Sequence, residues 1–109
     1  MKVEKPWGYE IRWAITEKYL GKILHIYRGK RLSLQKHEDK DEYVYVLRGI
    51  LILEVGGVQK ALRPGESHRI LPDTIHRFSA TTESFVELIE VSTPEIDDVI
   101  RIEDDYGRL

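Results

Sequence analysis

The feature that most constrains the fold is a series of short segments rich in β-branched and aromatic residues, separated by tight turn signals. Gly56-Gly57 separates two of these segments and predicts a hairpin with positive φ at its tip. A helical turn is suggested only over 94–99. About eight to ten short strands without a long helical period predict an all-β sandwich or barrel. The segments are 9–14, 20–27, 42–47, 50–55, 58–62, 67–71, 85–91 and 99–102.

Composition narrows the class of protein. A length of 109 residues without a linker predicts a single domain over 1–109. The net charge of -2, with scattered basic residues, argues against a nucleic-acid partner. The absence of cysteine excludes disulfides, thiolate ligands and a cysteine nucleophile, and fits a reducing compartment. Because no apolar leader or membrane-spanning run is present, we expect a cytoplasmic protein with no membrane contact.

Four polar residues are candidates for a metal site. Gln35 and His37 are two apart on a predicted strand, so their side chains point to the same face. Glu42 begins the next strand, and His76 follows a turn far along the chain. Two imidazoles, a carboxylate and an amide oxygen suit one divalent ion of Zn, Mn, Fe, Ni or Co better than Ca. A lone histidine is more often an ordinary polar residue than a metal ligand. The spacing of the four residues must therefore decide between a metal site and unrelated polar residues.

The spacing resembles the first motif of the cupin superfamily. The segment GKRLSLQKHEDKDEYVYVLRG, residues 29–49, contains Gln35 at the place of the first motif histidine, His37 at the second and Glu42 at the glutamate. The second motif corresponds to GESHRILPDTIHRF, residues 65–78, and supplies His76. The resemblance implies a cupin jelly-roll barrel (a double-stranded β-helix) with a divalent metal ion on Gln35, His37, Glu42 and His76. In the second motif the proline comes one place late, and Asp73 stands where the motif has glycine.

A narrower resemblance covers nearly the whole chain. KPWG (5–8), LSLQKHEDKDEYV (32–44), PGES (64–67), LIEVS (88–92) and EDDYGR (103–108) resemble the C-terminal domain of bacterial mannose-6-phosphate isomerase/mannose-1-phosphate guanylyltransferases. Glutamine at the first ligand place is a signature of that family. The resemblance implies a metal-dependent isomerase of a phosphorylated sugar, interconverting mannose 6-phosphate and fructose 6-phosphate for polysaccharide precursors. The sequence contains no counterpart of the guanylyltransferase domain, so we expect no nucleotide chemistry.

The chain departs from this family around the first motif. Asp39, Lys40, Tyr43 and Val44 replace a histidine, an arginine and a His-Trp pair. Lys40 stands at the arginine and is predicted to meet the phosphate as a flexible point charge. Isomerisation also needs a base, for which Lys36 and Lys40 are the nearby candidates. Two alternatives stay open: a non-catalytic cupin that binds a sugar or another small molecule, and a cupin with dioxygenase or epimerase-like chemistry.

Several other residues carry expectations. An apolar stripe of Tyr43, Tyr45 and Leu47 on one face of a strand predicts a homodimer. On the narrower resemblance the C-terminal tail folds over the barrel mouth, whereas composition alone predicts a frayed end. We expect Trp7 to pack at the barrel end or line its mouth, His25 to be structural, His68 to lie at a surface or sheet edge, Arg77 to form a salt bridge facing away from the metal, and Tyr106 and Arg108 to belong to the tail.

Overall fold

β-Structure dominates the computed structural model, which describes residues 1–109 and contains eleven strands and no helix. The strands are β1 (Lys2–Lys5), β2 (Gly8–Ile15), β3 (Leu20–Ile26), β4 (Leu34–Lys36), β5 (Glu42–Arg48), β6 (Leu51–Val55), β7 (Val58–Leu62), β8 (Ser67–Ile70), β9 (His76–Ala80), β10 (Val86–Ser92) and β11 (Ile100–Glu103). The all-β prediction is confirmed. With no helix present, the chain forms no helical membrane span.

The strands form two antiparallel sheets. The six-stranded sheet has the order β1-β2-β3-β10-β5-β8, and the five-stranded sheet has the order β11-β4-β9-β6-β7. Each segment predicted as a strand contains one. The sequence pattern missed β1, because KVEK is too polar for a strand signal, and β9, because its segment HRFSA lacks β-branched residues. The register of β1 with β2, Lys2 opposite Ile11, holds β1 in place. The helical turn over 94–99 does not form; the chain makes a simple turn there, and Thr93 N donates to Asp41 O at 3.0 Å.

The inner faces of the sheets divide into an apolar end and a polar end. Alternation along β5 turns Val44 and Val46 inward, where neither is exposed, and turns Tyr43 and Tyr45 outward. Charged side chains are also buried: Glu42 begins β5, and Glu90 lies near the end of β10. The polar end of the barrel interior is therefore the place for a site. The apolar core includes Leu24, Ile26, Val44, Val46, Leu51, Leu53, Phe78 and Leu88.

Positive φ values occur in two turns for different reasons. Gly56 and Gly57, at 58° and 82°, form the predicted hairpin between β6 and β7. Asp73 has φ 60° and is the one non-glycine residue with positive φ. Because aspartate tolerates the left-handed region, it adopts a conformation that glycine would otherwise supply. Asp73 N donates to His37 O at 2.6 Å, which ties this turn to the segment that carries a candidate ligand.

Candidate metal centre

The structure brings three of the four candidate ligands together in the barrel. His37 follows β4, Glu42 begins β5 and His76 begins β9, and their donor atoms all lie within 4.8 Å of one another. Glu42 Oε1 is 3.2 Å from His76 Nε2 and 3.5 Å from His37 Nε2. All three side chains are buried. Residues from both sheets therefore meet at one point.

Hydrogen bonds fix the orientation of both imidazoles. His76 Nδ1 donates to Thr74 O at 2.8 Å, and His37 Nδ1 donates to Asp98 O. Each Nε2 then faces Glu42, and neither Nε2 nor either Glu42 carboxylate oxygen has a hydrogen-bond partner. Buried acceptors that face one another are unfavourable unless a proton or a cation lies between them. Neutral imidazoles held through Nδ1 are the usual form of histidine ligands, so these residues fit a divalent metal ion.

Charges around Glu42 keep it ionised. Burial raises the pKa of Glu42, but the facing His37 and His76 rings, when a proton lies between ring and carboxylate, and the Lys40 ammonium outweigh burial and lower that pKa well below its ordinary value. A carboxylate that is charged at neutral pH is the form that binds a metal ion.

Gln35 lies beside these three residues. On β4 it is directly opposite His76 on β9, and it lines the same cavity as His37. Its Oε1 accepts a hydrogen bond from Ser33 Oγ at 2.8 Å, which orients the amide. Gln35 is thus placed to add a neutral oxygen to the donor set, and its role as a ligand stays a prediction.

Asp98 is a residue that the sequence pattern did not single out. Its carboxylate accepts hydrogen bonds from the backbone N–H groups of Glu38, Asp39 and Lys40 at 2.8–3.0 Å. These hydrogen bonds, above all that from Asp39, lower the pKa of Asp98 below its ordinary value. Its backbone carbonyl orients His37. Asp98 therefore holds the loop between two candidate ligands.

Replacing Asp98 should weaken metal binding without removing a ligand. We expect Asp98→Ala to lower the affinity for Zn or Co by about 10–100-fold, the range for partners that orient ligands. Titration calorimetry measures this loss. The control is Asp97→Ala, since Asp97 lines the same cavity but its carboxylate accepts no hydrogen bond. Equal affinities of the two variants would contradict the role of Asp98.

Lys40 lies in the barrel, held between two carboxylates. Its Nζ is 3.5 Å from Glu42 Oε2 and 3.3 Å from Glu90 Oε2, and the residue is 4% exposed. Burial lowers the pKa of Lys40, but the attraction of Glu90 and Glu42 outweighs burial and raises it. Lys40 lines the cavity, but as a fixed charge rather than the flexible one expected from its turn. Lys36, the other candidate base, pairs with Asp73 at 3.1 Å and does not line the cavity.

A cavity of about 300 Å³ leads to the centre. Trp7 is buried in the core and lines this cavity, so both expectations for it are met. The C-terminal tail folds over the mouth as the narrower resemblance implied: Tyr106 Oη donates to Arg31 O at 2.8 Å, and Arg108 lines the cavity. The Arg108 guanidinium, held 2.7 Å from Asp104, lowers the pKa of that carboxyl to about 2.

The remaining polar candidates have structural positions. His25 stacks between Tyr9 and Phe85, and its Nδ1 is 2.9 Å from Glu87 Oε2. His68 lies on β8, an edge strand. The Arg77 guanidinium donates to Leu32 O at 3.0 Å and pairs with Glu103 at 3.3 Å. These placements confirm the expectations for His25, His68 and Arg77.

Comparison with curated proteins shows relatives along the whole chain. ManC, a mannose-1-phosphate guanylyltransferase of Salmonella typhimurium, is 33% identical over 99% of this chain and 23% of its own length. The mannose-1-phosphate guanylyltransferase of Escherichia coli is 32% identical over 99% and 23%. The xanthan biosynthesis protein XanB of Xanthomonas campestris is 31% identical over 98% and 24%. The chain thus spans about a quarter of the length of these relatives.

Solved structures confirm the cupin fold. KdgF from Halomonas matches with a TM-score of 0.79 and 23% identity over 90% of this chain and 91% of that chain. An RmlC-like cupin from Shewanella frigidimarina matches with 0.79 and 18% identity over 90% and 86%. A cupin-superfamily sugar phosphate isomerase from Silicibacter pomeroyi matches with 0.70 and 20% identity over 78% and 58%.

The family assignment rests on the sequence. The model of the family described as mannose-6-phosphate isomerase C-terminal matches residues 1–104. The narrower resemblance drawn from KPWG, the glutamine at the first ligand place and EDDYGR is confirmed by this match and by the relatives above. The chain belongs to the family of mannose-6-phosphate isomerase C-terminal domains.

Proposed function

We propose that this chain is a metal-dependent isomerase of hexose 6-phosphates, interconverting mannose 6-phosphate and fructose 6-phosphate. The observation that carries the proposal is the buried His37–Glu42–His76 cluster beside a cavity of about 300 Å³ with basic walls. This volume lies at the lower end of the range for ligand pockets and suits a monosaccharide. The family match supports the choice of substrate class.

The residues around the cavity divide the chemical work. A divalent metal ion bound by His37, Glu42, His76 and Gln35 would polarise the carbonyl and neighbouring hydroxyl of the open-chain sugar. Proton transfer between C1 and C2 also requires a group that accepts and returns a proton. The Lys40 ammonium and the Glu90 carboxylate, 3.3 Å apart, both line the cavity and supply a donor and an acceptor there. We therefore assign the proton transfer to this pair.

An activity assay tests this function. Protein loaded in turn with Zn, Mn, Co, Ni and Fe is supplied with mannose 6-phosphate, and fructose 6-phosphate is measured. We expect turnover with at least one metal, and none in Glu42→Gln, which removes the ligand charge. Binding of the sugar phosphate without turnover under any metal would favour a non-catalytic sugar-binding cupin. The observation that favours this non-catalytic alternative is the replacement of the family arginine by Lys40.

We propose a homodimer built on the outer face of the six-stranded sheet. Tyr43, Tyr45 and Leu47 on β5 are 47%, 45% and 38% exposed, and Val91 on neighbouring β10 is 44% exposed. None of these four side chains is charged, so this stripe needs an uncharged surface to cover it. A two-fold axis places the same stripe of a second copy against it.

The dimer has a direct test in solution. Light scattering should give a mass about twice the 12.8 kDa of the chain at micromolar concentration. Tyr45→Glu should shift the mass to the monomer, because it buries a charge in the contact. The control Val58→Glu lies on β7 of the other sheet and should leave the dimer intact. A wild-type mass of 12.8 kDa would exclude this proposal.

A further inference from the structure

The cavity beside the metal centre has more basic than acidic side chains in its wall. Its acidic residues are Glu10, Glu90, Asp97 and Asp98. Several basic residues are compensated: Lys40 lies between Glu42 and Glu90, and Arg108 pairs with Asp104. The basic residues of the wall are Lys5, Arg12, Lys22, Lys40, Arg101 and Arg108.

One part of the wall has three cations around a single carboxylate. Glu10 is 2.9 Å from Arg12 Nη2, 3.3 Å from Lys22 Nζ and 3.8 Å from Lys5 Nζ. Lys22 also approaches Glu90, at 4.0 Å. Even if Glu90 compensates Lys22, the positive charge of Lys5 and Arg12 exceeds the single negative charge of Glu10.

Arg101 adds a further cation with no acidic partner. It lies on β11 directly opposite Gln35 and lines the cavity. Its guanidinium forms no ion pair, and its buried Nε has no hydrogen-bond partner. A buried N–H group without an acceptor is costly, so an acceptor in the cavity would be bound favourably. Arg101 is thus prepared for an anion that the chain itself does not supply.

The cations of this region also repel one another. Burial lowers the pKa of Lys5, and the charges of Arg12, Lys22 and Arg101 lower it further, although Glu10 acts in the opposite direction. Lys5, Arg12 and Arg101 all line the same cavity, so their charges face a common space. An anion in that space would relieve the repulsion.

We infer that Lys5, Arg12 and Arg101 form an anion subsite for the phosphate monoester of the sugar. Guanidinium groups bind phosphate through paired, charge-assisted hydrogen bonds, whereas Lys40 is already occupied by two carboxylates. This inference rests on the proposed function for the identity of the sugar. It assigns the phosphate to residues of β1–β2 and β11 rather than to the loop position expected from the sequence.

Binding measurements on the metal-loaded protein test the subsite. Titration calorimetry compares fructose 6-phosphate, fructose and glucuronate. We expect fructose 6-phosphate to bind more tightly than the other two, and Arg101→Gln to weaken its binding about 10–100-fold, as for a charged hydrogen bond of about 1.5–3 kcal/mol. Arg63→Gln is the control, because Arg63 is exposed and lies outside the cavity. Binding of fructose should not change in either variant.

The outcomes separate this inference from the proposed function. Equal binding of fructose 6-phosphate by Arg101→Gln and wild type would overturn the subsite, even if the wild type isomerises the sugar. Equal binding of glucuronate and fructose 6-phosphate would overturn the assignment to a phosphate monoester. Binding that depends on Arg101 without any turnover would support the subsite and reject the isomerase.

Discussion

His76→Ala is expected to lower the affinity for a divalent metal ion by more than about 100-fold and to abolish turnover. His76 is 1% exposed, and its Nε2 lies 3.2 Å from Glu42 Oε1 at the centre of the donor cluster. Partners that only orient ligands already contribute about 10–100-fold, so the loss of a ligand should exceed that range. Alanine supplies no donor atom in its place.

The loss is measured as metal content after dialysis and as the effect of metal on thermal unfolding. Metal should raise the Tm of the wild type by mass action and leave that of His76→Ala unchanged. The control is His68→Ala, because His68 lies on edge strand β8 and belongs to no donor cluster. A His76→Ala protein that keeps one tightly bound ion would show that the cluster is not the metal centre.

Lys40→Ala is expected to lower the free energy of unfolding of the metal-free protein by about 3–5 kcal/mol. The substitution leaves Glu42 and Glu90 buried near each other without the cation that lies 3.5 Å and 3.3 Å from them. Removing one partner of a buried ion pair is costly, because the other charge stays out of water without compensation.

Urea unfolding measures this loss of stability. Lys40→Met with Glu90→Gln removes both charges of the closer pair and should recover much of it. Lys36→Ala is the control, since its pair with Asp73 is exposed and should contribute at most about 1 kcal/mol. A Lys40→Ala protein of normal stability, with only a raised KM for the sugar phosphate, would instead support the phosphate contact expected from the sequence.

Motif spacing was sufficient to predict which residues meet at the donor cluster. The first cupin motif specifies the four residues between His37 and Glu42, and the second motif places His76 after its turn, so their convergence follows from the fold. Asp73 shows the limit of this reasoning. Asp73 stands where the motif has glycine, and the sequence does not show what this replacement does to the turn. In the structure Asp73 keeps the left-handed conformation, with φ 60°.

The environment of the cavity could not be predicted in the same way. Lys40 follows two acidic residues in a turn, a pattern typical of exposed loops, and its burial depends on Glu90, which is fifty positions later. Glu90 itself left a signal: it shares the inward parity of Val86 and Leu88 in an apolar strand. Arg101 gave none, because the sequence alone does not show which acidic side chains lie near it.

The donor cluster joins the two layers of the barrel. His76 belongs to the five-stranded sheet, whereas Glu42 belongs to the six-stranded sheet. An ion held by both would act as a reversible cross-link between layers that otherwise meet through apolar packing. Separation of the layers at this end and release of the ion would then be a single event, since neither sheet alone retains a complete set of ligands.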